Sequence, residues 1–177
     1  MLTNNQQTIS GNALRIFDVG VLLLGASGTG KSDVSLDLLT RGHALVADDS
    51  VCLSREGDHL FATCPSLGQG FLYAYELGMV DVAHAVHAEA YASCVEIELA
   101  IRLESKVTKL MDLLEPSEQL TLLEISIPCF SFSHFTSRPM AAIIETLVRC
   151  FKLQKKGYNA LSQFCEMQYE QMDPYPS

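Results

Sequence analysis

Residues 20–39, GVLLLGASGTGKSDVSLDLL, constrain the fold of this chain more than any other part of the sequence. The apolar run at 19–24 predicts a buried strand, and the spacing of Val34, Leu38 and Leu39 predicts a helix over 32–40. The residues between them fit the phosphate-loop pattern GxxxxGK[ST] in full, with a strand before and a helix after, as the pattern requires. The predicted nucleotide-binding loop consists of Gly25, Ala26, Ser27, Gly28, Thr29, Gly30, Lys31 and Ser32.

The chemistry of such a loop follows from its main chain. Glycines let several N–H groups point at one anion, and the N-terminus of the following helix adds positive potential. Lys31 is expected to reach the β- and γ-phosphates, and the Ser32 hydroxyl is an expected Mg²⁺ ligand. The alternative is a glycine-rich turn that binds nothing, which the full match in the required context disfavours.

Two carboxylates, Asp48 and Asp49, follow a second apolar run, Ala44–Ala47. If this strand lies next to the first and ends on the same side, both carboxylates come close to the bound phosphate. Consecutive strand residues point to opposite faces, so we expect two different roles. One of the two could hold Mg²⁺, directly or through water, and the other could accept a hydroxyl proton in phosphoryl transfer. A polar turn after a strand is the alternative.

The remaining pattern predicts a mixed α/β domain over 1–177, with polar tails at 1–9 and 173–177. A hairpin is expected from strands at 51–54 and 59–63, followed by a loop at 64–70. Apolar and polar residues alternate regularly over 95–104, which predicts a half-buried strand with its alternate apolar residues, from Val95 to Leu103, all on one face. The same alternation recurs briefly over 123–127. Two helices close the chain, the first after Pro139 and the second capped by Asn159.

Composition limits the function classes. The net charge of −9 argues against nucleic acid or an anionic membrane as the main partner. The longest apolar run is too short to cross a bilayer. Six cysteines without a CxxC pair, and no signal-peptide pattern, predict reduced thiols in a cytoplasmic protein.

One further cluster has metal-ligand residue types. Asp81, His84, His87 and Glu89 are spaced so that some would share a helix face. No fourth-ligand motif accompanies them, which favours partly exposed structural histidines over a metal site.

The run from the phosphate loop to the double Asp resembles the catalytic domain of the bacterial HPr(Ser) kinase/phosphorylase family. There too the loop is followed by RGH, an apolar strand and two aspartates at the same distance. Residues 76–82 (ELGMVDV) resemble the family's GLGIIDV, 137–145 (SRPMAAIIE) its GRNLAIIIE, and 157–160 (GYNA) its GYDA. The resemblance covers roughly residues 10 to 165.

This resemblance implies a P-loop fold related to phosphoenolpyruvate carboxykinase, with a mixed sheet and C-terminal helices. It implies a hexameric kinase that uses ATP and Mg²⁺ to phosphorylate a serine of HPr, the phosphocarrier of sugar uptake. In the family the same site removes that phosphate with inorganic phosphate, giving pyrophosphate. By position, Lys31 handles phosphate, Ser32 binds metal, Asp49 accepts or donates the proton, and Arg138 matches a late catalytic arginine.

The chain departs from the family pattern at three positions. Ser10 stands where the family has a histidine, and Tyr73 and Tyr75 stand where it has a metal-binding glutamate and an arginine. Neither tyrosine replaces a carboxylate on Mg²⁺ or a guanidinium on phosphate. Two alternatives to the kinase therefore stay open: a non-catalytic nucleotide- or phosphate-binding regulator, and a small-molecule P-loop kinase.

Overall fold

A computed structural model describes residues 5–105, 115–133 and 139–172 of the chain. Within these ranges the helices are α1 (Lys31–Thr40), α2 (Val82–Ala85), α3 (Met140–Lys155) and α4 (Ala160–Met172), with a 3₁₀ turn at Ser66–Gly68. The strands are β1 (Gln6–Ser10), β2 (Asn12–Ile16), β3 (Val19–Gly25), β4 (Ala44–Ala47), β5 (Ser50–Glu56), β6 (His59–Thr63), β7 (Phe71–Ala74), β8 (Gly78–Asp81), β9 (Cys94–Glu104), β10 (Glu118–Leu122) and β11 (Ile125–Ser133).

Most of the described strands form one mixed sheet. Its order is β1-β5-β6-β9-β3-β2-β4, with β11 parallel to β9 and β10 antiparallel to β11. The β7–β8 hairpin stands apart as a two-stranded sheet. Since β2 is antiparallel to both β3 and β4, the latter two run in the same direction. Their carboxyl ends, which carry the phosphate loop and the paired aspartates, therefore meet at the same edge.

The sheet has an apolar core on each face, which confirms the predicted mixed α/β class with C-terminal helices. Helices α1 and α3 cover one face, and the strands of the curled sheet close on the other. The first core includes Leu14, Val21, Leu23, Leu38, Leu39, Ile144, Leu147 and Val148. The second includes Leu22, Leu24, Val46, Leu53, Leu60, Ala62, Val95 and Ile97.

The prediction that 95–104 present one apolar face is wrong, although the strand itself is present. Gly20 pairs with Ile97 and Val21 pairs with Leu99, so Glu98 has no partner on β3. This irregularity, equivalent to a β-bulge, reverses the faces. Ile97 therefore packs in the second core, while Leu99 packs in the first.

The alternation at 123–127 is also interrupted. Leu123 and Glu124 have φ angles of 48° and 65° and form the turn between β10 and β11. Two central residues with positive φ match the twist of an antiparallel hairpin. Only the later part of the predicted segment belongs to a strand.

The chain termini differ partly from expectation. The predicted N-terminal tail includes most of β1, a polar edge strand that pairs antiparallel with β5. At the other end, the Asn159 side chain accepts hydrogen bonds from the N–H groups of Leu161 and Ser162, which confirms it as the cap of α4. Residues 173–177 lie outside the described ranges. Within those ranges no helix combines the length and apolar character needed to span a bilayer.

Candidate phosphate-binding site

The phosphate loop joins β3 to α1 in a tightly curled conformation. Gly28 and Gly30 have φ angles of 80° and 79°, which L-residues with a side chain rarely adopt. The N–H and the hydroxyl of Thr29 both donate to the carbonyl of Ala26, over 3.3 and 2.9 Å. At Gly25 an added Cβ would lie 2.6 Å from the carbonyl oxygen of Leu103 on β9. The glycines therefore allow both the curl and the close approach to the neighbouring strand.

Lys31 begins α1 and is only 8% exposed. Its Nζ donates to the carbonyl oxygens of Gly25 and Ala26, over 3.0 and 3.1 Å. The ammonium group is thus folded back against the loop, where its partners are neutral carbonyls. A phosphate, which forms stronger charge-assisted hydrogen bonds, could displace these contacts without moving the main chain far.

A cavity of about 730 Å³ opens beside the loop. One wall is made by loop residues 25–29, and another by the end of β9 at residues 102–105. Ser10, the position at which the family has a histidine, also lines it. Arg102 is held at this wall by Glu118, with 2.7 Å between the guanidinium and the carboxylate. The volume is in the range of ligand sites in proteins.

Asp48 lies directly beside the start of α1. The Ser32 hydroxyl donates to Asp48 Oδ1 over 3.2 Å, and the main-chain N–H of Tyr73 donates to Oδ2 over 2.9 Å. Burial raises the pKa of Asp48 above its ordinary value, and these two hydrogen bonds act against that rise. The two hydrogen bonds therefore hold the carboxylate in place, while its burial disfavours the ionised form.

The oxygen pair of Ser32 and Asp48 fits a magnesium ion. Both are hard oxygen donors at the mouth of a phosphate loop, and Mg²⁺ usually takes one or two protein ligands and completes its shell with phosphate and water. Within the described residues no group of three or more His, Cys, Asp or Glu side chains is placed to hold a metal. The site thus suits a metal that arrives with a phosphate ligand.

Asp49 is oriented through its main chain. Its φ is 61°, in the left-handed region. Its N–H donates to Oδ1 of Asn12 over 3.1 Å, and its carbonyl accepts from the N–H of Gly11 over 3.1 Å. The side chain is exposed, and none of the residues that the structure describes donates a hydrogen bond to its carboxylate. Asp49 therefore presents a solvent-facing carboxylate next to Asp48.

The predicted loop residues, Ser32, Asp48 and Asp49 all meet at one edge of the sheet. The reasoning that placed them together needs one correction, because β3 and β4 are not neighbours: β2 lies antiparallel between them. Arg138 lies outside the described residues. Asn12 was missed, although an amide at the start of the apolar run ALRI was a usable signal. The main-chain contact of Tyr73 left no signal in the sequence.

The histidine cluster has structural contacts. Asp81 caps α2 by accepting from the N–H of His84 and also lies 2.9 Å from His84 Nδ1. His87 Nε2 lies 3.0 Å from the carbonyl oxygen of Leu39, near the end of α1. Among the described residues, no three His, Cys, Asp or Glu side chains lie close enough together to hold a metal ion. This finding and the contacts above support the interpretation of His84 and His87 as structural histidines.

Comparisons with known proteins agree with this geometry. The sequence model of the family described as HPr Serine kinase C-terminal domain matches residues 2–168. The HPr kinase/phosphorylase of Mycoplasma genitalium is 36% identical over 162 residues, which cover 89% of this chain and 52% of that protein. That of Brevibacillus brevis is 35% identical over 166 residues, covering 91% and 53%. The chain thus spans about half the length of these curated relatives.

A solved structure, described as the Hpr(Ser) kinase/phosphatase from Coxiella burnetii, has a similar fold. Its TM-score is 0.77 at 34% identity, and the match covers 85% of this chain and 99% of that chain. The predicted P-loop fold is confirmed by this similarity.

Proposed function

Because this chain belongs to the family of HPr serine kinase C-terminal domains, we propose that it is an ATP- and Mg²⁺-dependent kinase that phosphorylates a serine of an HPr-like phosphocarrier. Its relatives named HPr kinase/phosphorylase place it in a kinase-type enzyme family. The observation that carries the proposal is the contact between Ser32 and Asp48 at the mouth of a phosphate loop, with the exposed Asp49 carboxylate next to it.

Nucleotide binding is assigned to the loop and to Lys31. The main-chain N–H groups of residues 25–32 would surround the phosphates, aided by the positive end of α1. The Lys31 ammonium would leave the carbonyls of Gly25 and Ala26 and bind the β- and γ-phosphates. Ser32 and Asp48 would hold Mg²⁺, which neutralises phosphate charge when bound.

The transfer step needs a group that takes the proton of the accepting serine. Asp49 would accept it as the hydroxyl oxygen bonds to phosphorus and the bond from phosphorus to the leaving ADP oxygen breaks. Arg138, the family's late catalytic arginine by position, would offset the charge that develops on the transferred group. The reverse reaction, with Asp49 as proton donor, is not part of the proposal, because Ser10, Tyr73 and Tyr75 replace site residues of the family.

The setting of this reaction is inferred from the family as a whole. We propose a cytoplasmic protein whose partner is the phosphocarrier and which assembles as a hexamer. Sedimentation of the purified 19.4 kDa chain tests the assembly directly.

Phosphate transfer is tested with labelled ATP, Mg²⁺ and purified HPr. The expected result is label on a serine of HPr that is lost in Asp49→Asn and kept in Asp58→Asn, an exposed aspartate in the turn between β5 and β6. Label on a metabolite in place of HPr would favour a small-molecule kinase.

A non-catalytic regulator on the same fold is the second candidate. The substitutions at Tyr73 and Tyr75 favour it, because Tyr75 is 86% exposed and brings no charge to the site. It predicts that nucleotide binds with ordinary affinity while no label moves to any acceptor.

A further inference from the structure

Asn12 is an unusual residue for its position at the start of β2. It is fully buried, and its neighbours along the strand, Ala13 and Leu14, are apolar and also fully buried. A buried amide is costly unless its donor and acceptor both find partners. Here both do: Nδ2 donates to the hydroxyl of Ser35 over 2.9 Å, and Oδ1 accepts from the N–H of Asp49 over 3.1 Å.

These two bonds connect two parts of the candidate site. Ser35 is also fully buried and lies one helical turn after Lys31 and Ser32 on α1. Asp49 follows β4, on the far side of β2 from the loop. A single side chain therefore joins the helix that begins at the phosphate loop to the main chain of Asp49.

The main chain of Asp49 needs such support. Its left-handed conformation is less favourable than the right-handed one, although Asp adopts it more readily than most residues, and a relaxed φ would turn the carboxylate in another direction. No side chain in the described ranges donates to that carboxylate, so its direction depends on the main chain. The main chain is held by the bonds to Asn12 and Gly11 and by the bond from the N–H of Ser50 to the Asp48 carbonyl, over 2.7 Å.

We propose that Asn12 is a positioning residue: it sets the direction and distance of the Asp49 carboxylate relative to the phosphate loop by linking Asp49 to Ser35. The inference rests on the proposed function, in which Asp49 accepts the serine proton. Misplacing a reacting group by about 1 Å can lower a rate about 100-fold even when the residue changed touches no substrate.

A merely structural amide and a positioning amide give different kinetics. Loss of a structural contact lowers stability and leaves folded molecules equally active. Loss of a positioning contact lowers kcat and leaves the affinity for metal-free nucleotide in place, because the hydrogen bonds of Asn12 go to Ser35 and Asp49 and not to residues 25–32. The Asn12 side chain also lowers the pKa of Asp48, so nucleotide binding is measured without Mg²⁺.

The test uses Asn12→Leu, which keeps the branched heavy-atom shape of the side chain and removes both bonds, and Ser35→Ala, which removes only the link to α1. Leu14→Val, two residues along the same strand, is the control for a loss of buried contacts. For Asn12→Leu we expect kcat with HPr to fall by about 100-fold. The dissociation constant of a fluorescent ATP analogue should change by less than about twofold, an equilibrium effect of only a few tenths of a kcal/mol. The kcat of Ser35→Ala should lie between those of Asn12→Leu and the wild type.

A second measurement does not depend on activity. The amide hydrogen of Asp49 should exchange slowly in the wild type and at least about tenfold faster in Asn12→Leu, which frees that amide. In Ser35→Ala the bond to Asn12 remains but loses its support from α1, so a smaller increase in the exchange rate is expected. Rapid exchange in the wild type, or kcat values in both variants that match Leu14→Val, would overturn the inference. If Asn12→Leu does not fold, Ser35→Ala decides by the same readouts.

The outcome separates this inference from the proposed function. If the wild type transfers no phosphate but the Asp49 amide depends on Asn12, the kinase proposal fails and the positional link stands without a catalytic role. If Asp49→Asn abolishes transfer while both Asn12→Leu and Ser35→Ala retain normal kcat, the kinase proposal stands and the positioning role fails.

Discussion

At the scale of single residues, the site holds two charged side chains in different ways. Lys31 is buried against neutral carbonyls of its own loop, a contact that phosphate can replace. Asp48 is held by Ser32 and by the main chain of Tyr73, in surroundings that disfavour its charge. Both side chains would be stabilised by a ligand of opposite charge: Lys31 by a phosphate, and Asp48 by a cation.

Replacing Lys31 tests the assigned loop. ATP and Mg²⁺ should raise the Tm of the wild type, and Lys31→Ala should abolish this increase, because it removes the cation proposed to bind the β- and γ-phosphates. At 100 times the dissociation constant, a ligand adds about 2.7 kcal/mol to the free energy of unfolding. Lys156→Ala, exposed at the end of α3, is the control and should keep the full shift. An unchanged shift in Lys31→Ala would remove the loop from the proposal.

Asp48→Asn should raise the free energy of unfolding at neutral pH. Because the folded-state pKa of Asp48 lies above its unfolded value, the folded state binds the proton more tightly. The wild type therefore loses stability as pH rises from the unfolded pKa through the folded one, and the loss is complete above the folded pKa. Asn avoids this loss: its amide oxygen can accept from the N–H of Tyr73, and its NH₂ can donate to the Ser32 hydroxyl oxygen, which then acts as the acceptor.

This gain is measured as Tm against pH. Each kcal/mol recovered corresponds to about 2–4 °C in a chain of this size. The advantage of Asp48→Asn over the wild type should disappear below the ordinary aspartate pKa, while Asp58→Asn should show no such pattern. A variant less stable than the wild type at neutral pH would contradict the assignment of a buried, disfavoured carboxylate.

At the scale of elements, the loop, α1 and α3 form one connected unit. His43, just after α1, lies 2.9 Å from Glu145 of α3, and Arg41 also contacts that carboxylate. Lys152 of α3 donates to the carbonyl of Phe17, in the turn between β2 and β3. The helix that begins at the phosphate loop is thereby held against the helix that follows residues 134–138.

The loop itself should respond differently to alanine at two of its glycines. In Gly25→Ala the new Cβ would lie 2.6 Å from the Leu103 carbonyl oxygen and 2.7 Å from Thr29 Oγ1. We expect this overlap to cost about 1–3 kcal/mol in the free energy of unfolding, in addition to the cost of a φ of 148° that L side chains rarely adopt. We also expect a weaker nucleotide-dependent shift in Tm. In Gly28→Ala no atom lies within 4 Å of the new Cβ. Its cost is then only that of the left-handed conformation, about 1–2 kcal/mol.

Chemical denaturation with and without nucleotide measures both variants. Equal losses of stability, or a full nucleotide shift in Gly25→Ala, would show that the loop does not depend on its close approach to β9.

At the scale of the whole molecule, charge decides which partners are compatible. Twenty-one acidic residues against twelve Lys and Arg give a net charge of −9. Such a field repels polyanions and increases their dissociation constants further at low salt. A small phosphate ligand escapes this repulsion, because the loop amides and the neighbouring Lys31 ammonium act over short distances.

We therefore expect no retardation of a DNA duplex in a gel at protein concentrations up to about 10 µM, within the range where non-specific DNA binders associate. The wild type should bind an anion-exchange resin at neutral pH and pass through heparin. A DNA complex that weakens with salt would contradict this expectation and reveal a basic surface that net charge conceals.

The local sequence pattern was sufficient to predict the part of the fold that contains the phosphate loop. The predicted strand, loop and helix correspond to β3, the phosphate loop and α1, and the run 44–47 is β4. These elements are specified by contiguous residues, because an apolar run, a glycine-rich turn and a helical spacing of apolar residues are each defined within a few positions of the chain. The site residues within this stretch followed from the same pattern.

The sequence by itself determined that residues 25–32 form a phosphate loop and that two carboxylates follow the next strand. Only the tertiary structure decided that β2 separates β3 from β4, that Glu98 reverses the faces of β9, and that Asn12 holds Asp49. Strand pairing, a bulge and a buried amide bond depend on residues distant in the chain. In the sequence of β9, the alternation of apolar and polar residues is the same whether the apolar residues pack in one core or in two.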